Sequence, residues 1–96
     1  MSLNKLIAYN RDAILKIAQR YNVSNVRIFG SMARGDAGYN SDVDLLADLD
    51  ANTSLLDRIA LAQEIEGLLG RKIDLVTPDK LHGVIKDRVM KESIPL

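Results

Sequence analysis

A small two-layer α+β fold is predicted by three features of this 96-residue chain. Three short β-branched or apolar runs alternate with longer stretches of helical periodicity. Glycine and asparagine cluster between the first two runs. The length allows one core, in which a chain of this size hides roughly 60–65% of the surface its unfolded form exposes. Residues 1–96 therefore read as a single domain, with no linker, repeat or low-complexity segment.

Taken in order, Leu3, Leu6, Ile7, Ala13, Ile14, Ile17, Ala18 and Tyr21 recur at three- and four-residue spacing, which predicts a leading helix. Tyr9 and Tyr21 read as packing residues of that helix. Asn22 to Asn25 breaks the period, and Val26-Arg27-Ile28-Phe29 suits a strand that stops at Gly30. Arg27 reads as an edge or rim residue. Ser31 to Arg34 fits a helical turn, and Asp36 to Ser41 a loop with Tyr39 exposed in it.

Asp42 to Leu49 follows as a second strand, with Asp48 and Asp50 solvated near its end. Ser54 with Asp57 forms a capping box ahead of a broad apolar stripe from Leu55 to Leu69, and Gly70 closes that helix. Lys72 to Thr77 is a third strand. Thr77 then caps a last helix with Pro78 in its first position and Leu81, Val84, Ile85 and Val89 as its buried face. His82 reads as solvent-facing, and the chain ends on Ile94-Pro95-Leu96.

Composition narrows the chemistry. Thirteen basic residues balance thirteen acidic ones, so the net charge is zero and direct nucleic-acid binding is not expected. There is no cysteine, hence neither disulfide nor thiolate metal site, and one histidine excludes multi-histidine zinc sites. No apolar run reaches membrane-spanning length and no signal peptide opens the chain, so a cytoplasmic protein without membrane contact is expected.

The informative segment is Gly30-Ser-Met-Ala-Arg-Gly35 followed by Ser41-Asp-Val-Asp-Leu45. Alternation along a strand puts Asp42 and Asp44 on one face and Val43 and Leu45 on the other. Carboxylates this close repel one another unless a cation neutralises them or one takes up a proton. A hard divalent ion with oxygen ligands, Mg²⁺ or Mn²⁺, resolves the conflict. Asp74 also interrupts an apolar run. If its strand lies beside the second, it completes a three-carboxylate cluster suited to two metal ions and nucleotidyl transfer. Gly30 lets the backbone approach a phosphate, Ser31 adds a hydroxyl, and Arg34 either clamps phosphate oxygens or stays at the rim.

Two other motifs fail. Gly30 to Gly35 has phosphate-loop glycine spacing, but Asp36 and Ala37 replace the lysine and hydroxyl residue. Asp42-x-Asp44 opens like a calcium-hand loop, yet Leu46 and Ala47 occupy a ligand position and the required glycine.

The combination of G-S-x-A-R-G, a short loop, S-D-x-D-L and a later acid in an apolar strand resembles the minimal nucleotidyltransferases of the DNA polymerase β superfamily. The resemblance covers nearly the whole chain. It implies a small mixed sheet with flanking helices, in the order α-β-(short α)-β-α-β-α of the polymerase palm. It implies that Gly30 and Ser31 hold the triphosphate of ATP or another nucleoside triphosphate, with Arg34 and Ser41 as further members of the motif. Asp42 and Asp44 would ligate two Mg²⁺ ions, and Asp74 would bind the catalytic one and help activate the acceptor.

Stand-alone members resemble antitoxins paired with HEPN-domain toxins. The resemblance therefore implies adenylylation of such a partner, with a homo-oligomer left open. Two alternatives remain at this stage: a non-catalytic antitoxin that blocks the ribonuclease sterically, and an enzyme that modifies a small molecule such as an aminoglycoside.

Overall fold

The computed structural model describes residues 3–34 and 42–96. Four strands form one sheet in the order β3-β2-β1-β4. β1 (Val23–Phe29) runs antiparallel to β2 (Val43–Leu49) and to the two-residue β4 (Ile94–Pro95), whereas β2 and β3 (Ile73–Val76) are parallel. A parallel pair needs a crossover, and α4 (Leu55–Leu69) supplies it. The expected mixed sheet with flanking helices is what the chain forms.

One face of the sheet is the core. Ile14 and Ala18 of α2 (Arg11–Arg20) and Leu61, Ile65 and Leu69 of α4 pack on Val23, Val26, Ile28, Val43, Leu45, Ala47 and Ile73. The three-residue step from Val23 to Val26 would turn one of them away in a regular strand. A register shift between Ser24 and Arg27, with Asn25 at φ 53°, restores both to the core. The strand thus begins three residues before the expected Val26, because Asn22 (φ 58°) makes the turn alone.

The helix caps of α4 are as expected. Ser54 Oγ accepts from the Asp57 amide at 3.0 Å, Asp57 Oδ2 accepts from the Ser54 amide at 3.2 Å, and Gly70 is left-handed at φ 66°.

Five expectations are corrected. The leading helix is two: α1 (Leu3–Tyr9) ends at Asn10, whose side-chain amide bonds back to the Leu6 carbonyl at 2.9 Å before α2 begins. Asn10 spends its amide locally and breaks the helix, so Tyr9 points to solvent at 81% exposure rather than packing, while Tyr21 does pack on the core.

Thr77 and Pro78 start only a 3₁₀ turn (Pro78–Lys80); the last helix, α5 (Gly83–Glu92), starts after an exposed His82. Its expected buried face is not buried, with Val84 81% and Ile85 66% exposed, because none of the described elements covers that side.

Arg27 is not an edge residue. β4 flanks its strand, and the half-buried guanidinium donates from Nε to Ser93 Oγ at 2.7 Å. Ser93 Oγ in turn donates to the Met90 carbonyl at 2.9 Å, tying the end of α5 to the sheet. Asp48 and Asp50 are exposed as expected. Among the described residues, no helix is long and apolar enough to cross a membrane.

Candidate active site

The site lies on the sheet face opposite the core, at the start of β2. Residues paired across neighbouring strands share a face, and the registers Phe29↔Asp44 and Asp44↔Asp74 set Asp44 between β1 and β3. The two acids that interrupt apolar strands are therefore side by side. Asp42 precedes β2, is exposed, and adds its negative charge to the same surroundings.

Asp44 is the most constrained of the three. Half-buried, its carboxyl is pushed above the ordinary aspartate range, first by burial and then by the charges of Asp74 and Asp42, with the Arg34 guanidinium opposing them. A proton or a bound cation would remove the repulsion.

Gly30 supplies the space. It ends β1 at φ 68°, where an L side chain is strained, and a Cβ built there would overlap Asp44 Oδ2 and press on Cγ at 3.3 Å. The bend is thus closed over the carboxylate with only a glycine's width between them. The backbone then turns directly into α3 (Ser31–Arg34), where the Arg34 amide donates to the Gly30 carbonyl at 3.1 Å.

Arg34 has a partner that the sequence did not signal. Its Nη1 lies 3.7 Å from Glu92 Oε2, and Glu92 Oε1 lies 3.3 Å from Arg88 Nε. A cavity of about 420 Å³ opens between Gly30 and Arg34 on one side and Ile85, Arg88, Val89 and Glu92 on the other. The larger cavity, about 580 Å³, lies at the opposite end of β2 around Asp50, Arg58 and Thr77, away from the paired carboxylates. Chemistry rather than size marks the smaller one.

Of the expected site residues, Gly30, Arg34, Asp42, Asp44 and Asp74 are gathered at this end of the sheet, and Ser31 opens α3. Ser41 and Tyr39 lie outside the described residues. Among the described residues, no three His, Asp or Glu side chains are gathered at metal-ligating distance. The donor set nonetheless fits a hard divalent cation: anionic oxygens on adjacent strands, with the Asp44 carboxylate in the place that a side chain at position 30 would take.

The family described as nucleotidyltransferase domain matches residues 11–96. The chain belongs to that family. It is 33% identical over 94 residues to a candidate protein adenylyltransferase of Methanocaldococcus jannaschii, spanning 98% of this chain and 97% of the relative. It is 38% identical over 79 residues to the protein adenylyltransferase MntA of Thermococcus cleftensis, spanning 82% and 80%. Among solved structures, a candidate minimal nucleotidyltransferase superposes with TM-score 0.86 at 38% identity, over 97% of this chain and 95% of that one. A toxin–antitoxin structure with AMP-PNP shares the fold, with TM-score 0.74 at 24% identity over 90% and 71%. This nucleotidyltransferase domain thus carries its paired acids and its glycine bend at one end of a sheet shared with those proteins.

Proposed function

We propose that this domain transfers AMP from ATP to a hydroxyl group on a partner protein, and that the partner is a HEPN-domain toxin which it neutralises. The observation that carries the reading is the in-register pair Asp44–Asp74 beneath the Gly30 bend. The relatives named protein adenylyltransferases and the shared fold of a toxin–antitoxin structure support the acceptor class.

In this reading Asp42 and Asp44 hold two divalent cations, Mg²⁺ or Mn²⁺, and Asp74 shares one of them. When bound, the cations neutralise charge on the triphosphate and polarise its phosphorus. The chain's own groups do the positioning. The Gly30 backbone admits the triphosphate, Ser31 offers it a hydroxyl donor, and Arg34 and Ser41 complete the phosphate side. Asp74, exposed on β3, faces the acceptor and takes its hydroxyl proton. The acceptor oxygen forms a new bond to the α-phosphorus, the bond from that phosphorus to the bridging oxygen breaks, and pyrophosphate leaves. Such a reaction belongs in a compartment that holds ATP, the cytoplasm.

The test is incubation of the domain with α-labelled ATP, Mg²⁺ and the product of a neighbouring HEPN-type gene. Label is expected on that protein, and none with Asp44→Asn. Inhibition of the toxin without any label would leave steric blocking as the activity; label on an aminoglycoside instead would reassign the substrate.

A further inference from the structure

In the reading above, Arg34 is the cation that faces the polyphosphate tail of the nucleotide. α5 carries residues that can join it. Arg88 and Arg34 come from elements more than fifty residues apart, yet one carboxylate, Glu92, holds both, at 3.3 and 3.7 Å. They meet at the wall of the cavity that opens beside Gly30.

Helix stability does not account for this arrangement. The exposed Arg88–Glu92 pair at i,i+4 adds little to a solvated helix. Glu92 ends α5, where the helix dipole disfavours an anion. The carboxylate is placed where it meets two guanidinium groups, and not where the helix needs a cap.

Among the described residues, the lining of this cavity carries two arginines and one glutamate. Guanidinium groups match phosphate oxygens with two parallel hydrogen bonds. A nucleoside triphosphate, with several negative charges, outcompetes a single half-exposed carboxylate for them.

We propose that Arg88 is a polyphosphate-binding residue of this site, held beside Arg34 by Glu92 until the nucleotide displaces that carboxylate. The inference rests on the nucleotidyltransferase reading above and extends its site to α5. Because Glu92 competes with the nucleotide, its removal strengthens binding while removal of Arg88 weakens it.

The experiment measures binding of ATP, ADP and AMP, in the presence of Mg²⁺, to the full chain by calorimetry. Arg88→Ala is expected to weaken ATP about tenfold and ADP less, with AMP unchanged, because only the tail beyond the first phosphate is contacted. Arg88→Lys recovers part of the loss, and Glu92→Gln tightens ATP two- to fivefold. The Arg88 side chain is 71% exposed, so the melting temperature of Arg88→Ala stays within a degree or two of the parent.

Equal losses for all three nucleotides, or no loss for ATP, overturn the assignment of Arg88. Weaker ATP binding by Glu92→Gln overturns the competing role of Glu92. A parent chain that binds no ATP at all sinks the nucleotidyltransferase reading and this inference with it. Normal ATP binding by Arg88→Ala sinks the inference alone.

Discussion

Strand β2 shows its neighbours two unlike surfaces. Val43, Leu45 and Ala47 are at most 1% exposed against α2 and α4, while Asp44 and the preceding Asp42 turn carboxylates to the other side. The odd positions stabilise the domain by burying apolar surface. On the other side Leu46 is buried as well, and Asp44 alone works against stability, because a half-buried acid beside two others is unfavourable while no cation neutralises it. One strand can carry both tasks because alternation separates them by a single residue. In the proposed function the fold is then held by residues that take no part in chemistry, and the chemistry would rest on residues that the fold tolerates.

Substitutions on the two sides sharpen this contrast. Asp44→Asn has the largest expected effect on activity, a loss of nucleotide transfer of about a thousandfold or more, since metal-assisted charge stabilisation is worth several kcal/mol. Its effect on the fold runs the other way. The fold raises the Asp44 pKa, so its contribution to stability is complete below the ordinary aspartate value and disappears as pH rises through the raised one. Without metal, Asp44→Asn should therefore melt at pH 7 no lower than the parent, and up to a few degrees higher, with a flatter pH profile; thermal melts from pH 4 to 8 check this.

Leu45→Ala, one residue away, should do the reverse. A loss of about 2–5 kcal/mol is expected in denaturant unfolding, with little change in the activity of the molecules that remain folded. If the two neighbours gave the same pattern, the division between the faces would not hold.

Gly30→Ala falls between them, because it touches both. The left-handed backbone costs about 1–2 kcal/mol once a Cβ is present. The displaced Asp44 carboxylate should also lower transfer roughly a hundredfold, as small misplacements of reacting groups do. Urea melts and initial rates measured on one preparation separate the two.

How much of this was legible in the chain follows from how local each signal is. The Ser54–Asp57 capping box and the Gly70 cap were readable because capping is decided within a few residues. The pairing of Asp44 with Asp74 was readable only as a condition: parity puts each acid on a face, but only the parallel register makes the faces the same.

α5 shows where such reading fails. Val84, Ile85 and Val89 have helical spacing, but spacing reports that a stripe exists and not that anything covers it. β4 left no signal, being two residues long and made by pairing Ile94 and Pro95 with a strand more than sixty residues earlier. That pairing is also what moved Arg27 from an edge to an inner position. The link from Glu92 to Arg34 was out of reach for the same reason, since it crosses the whole fold.

In the proposed function Asp44 and Asp74 together hold a divalent cation beside the glycine bend. The most direct measurement is Mn²⁺ binding with a non-hydrolysable ATP analogue present, followed by electron paramagnetic resonance. Asp44→Asn and Asp74→Asn should each weaken Mn²⁺ at least tenfold, while Asp79→Asn, at the far end of the sheet, should bind like the parent. Parent-like Mn²⁺ affinity in Asp74→Asn would mean that the two acids do not share a cation.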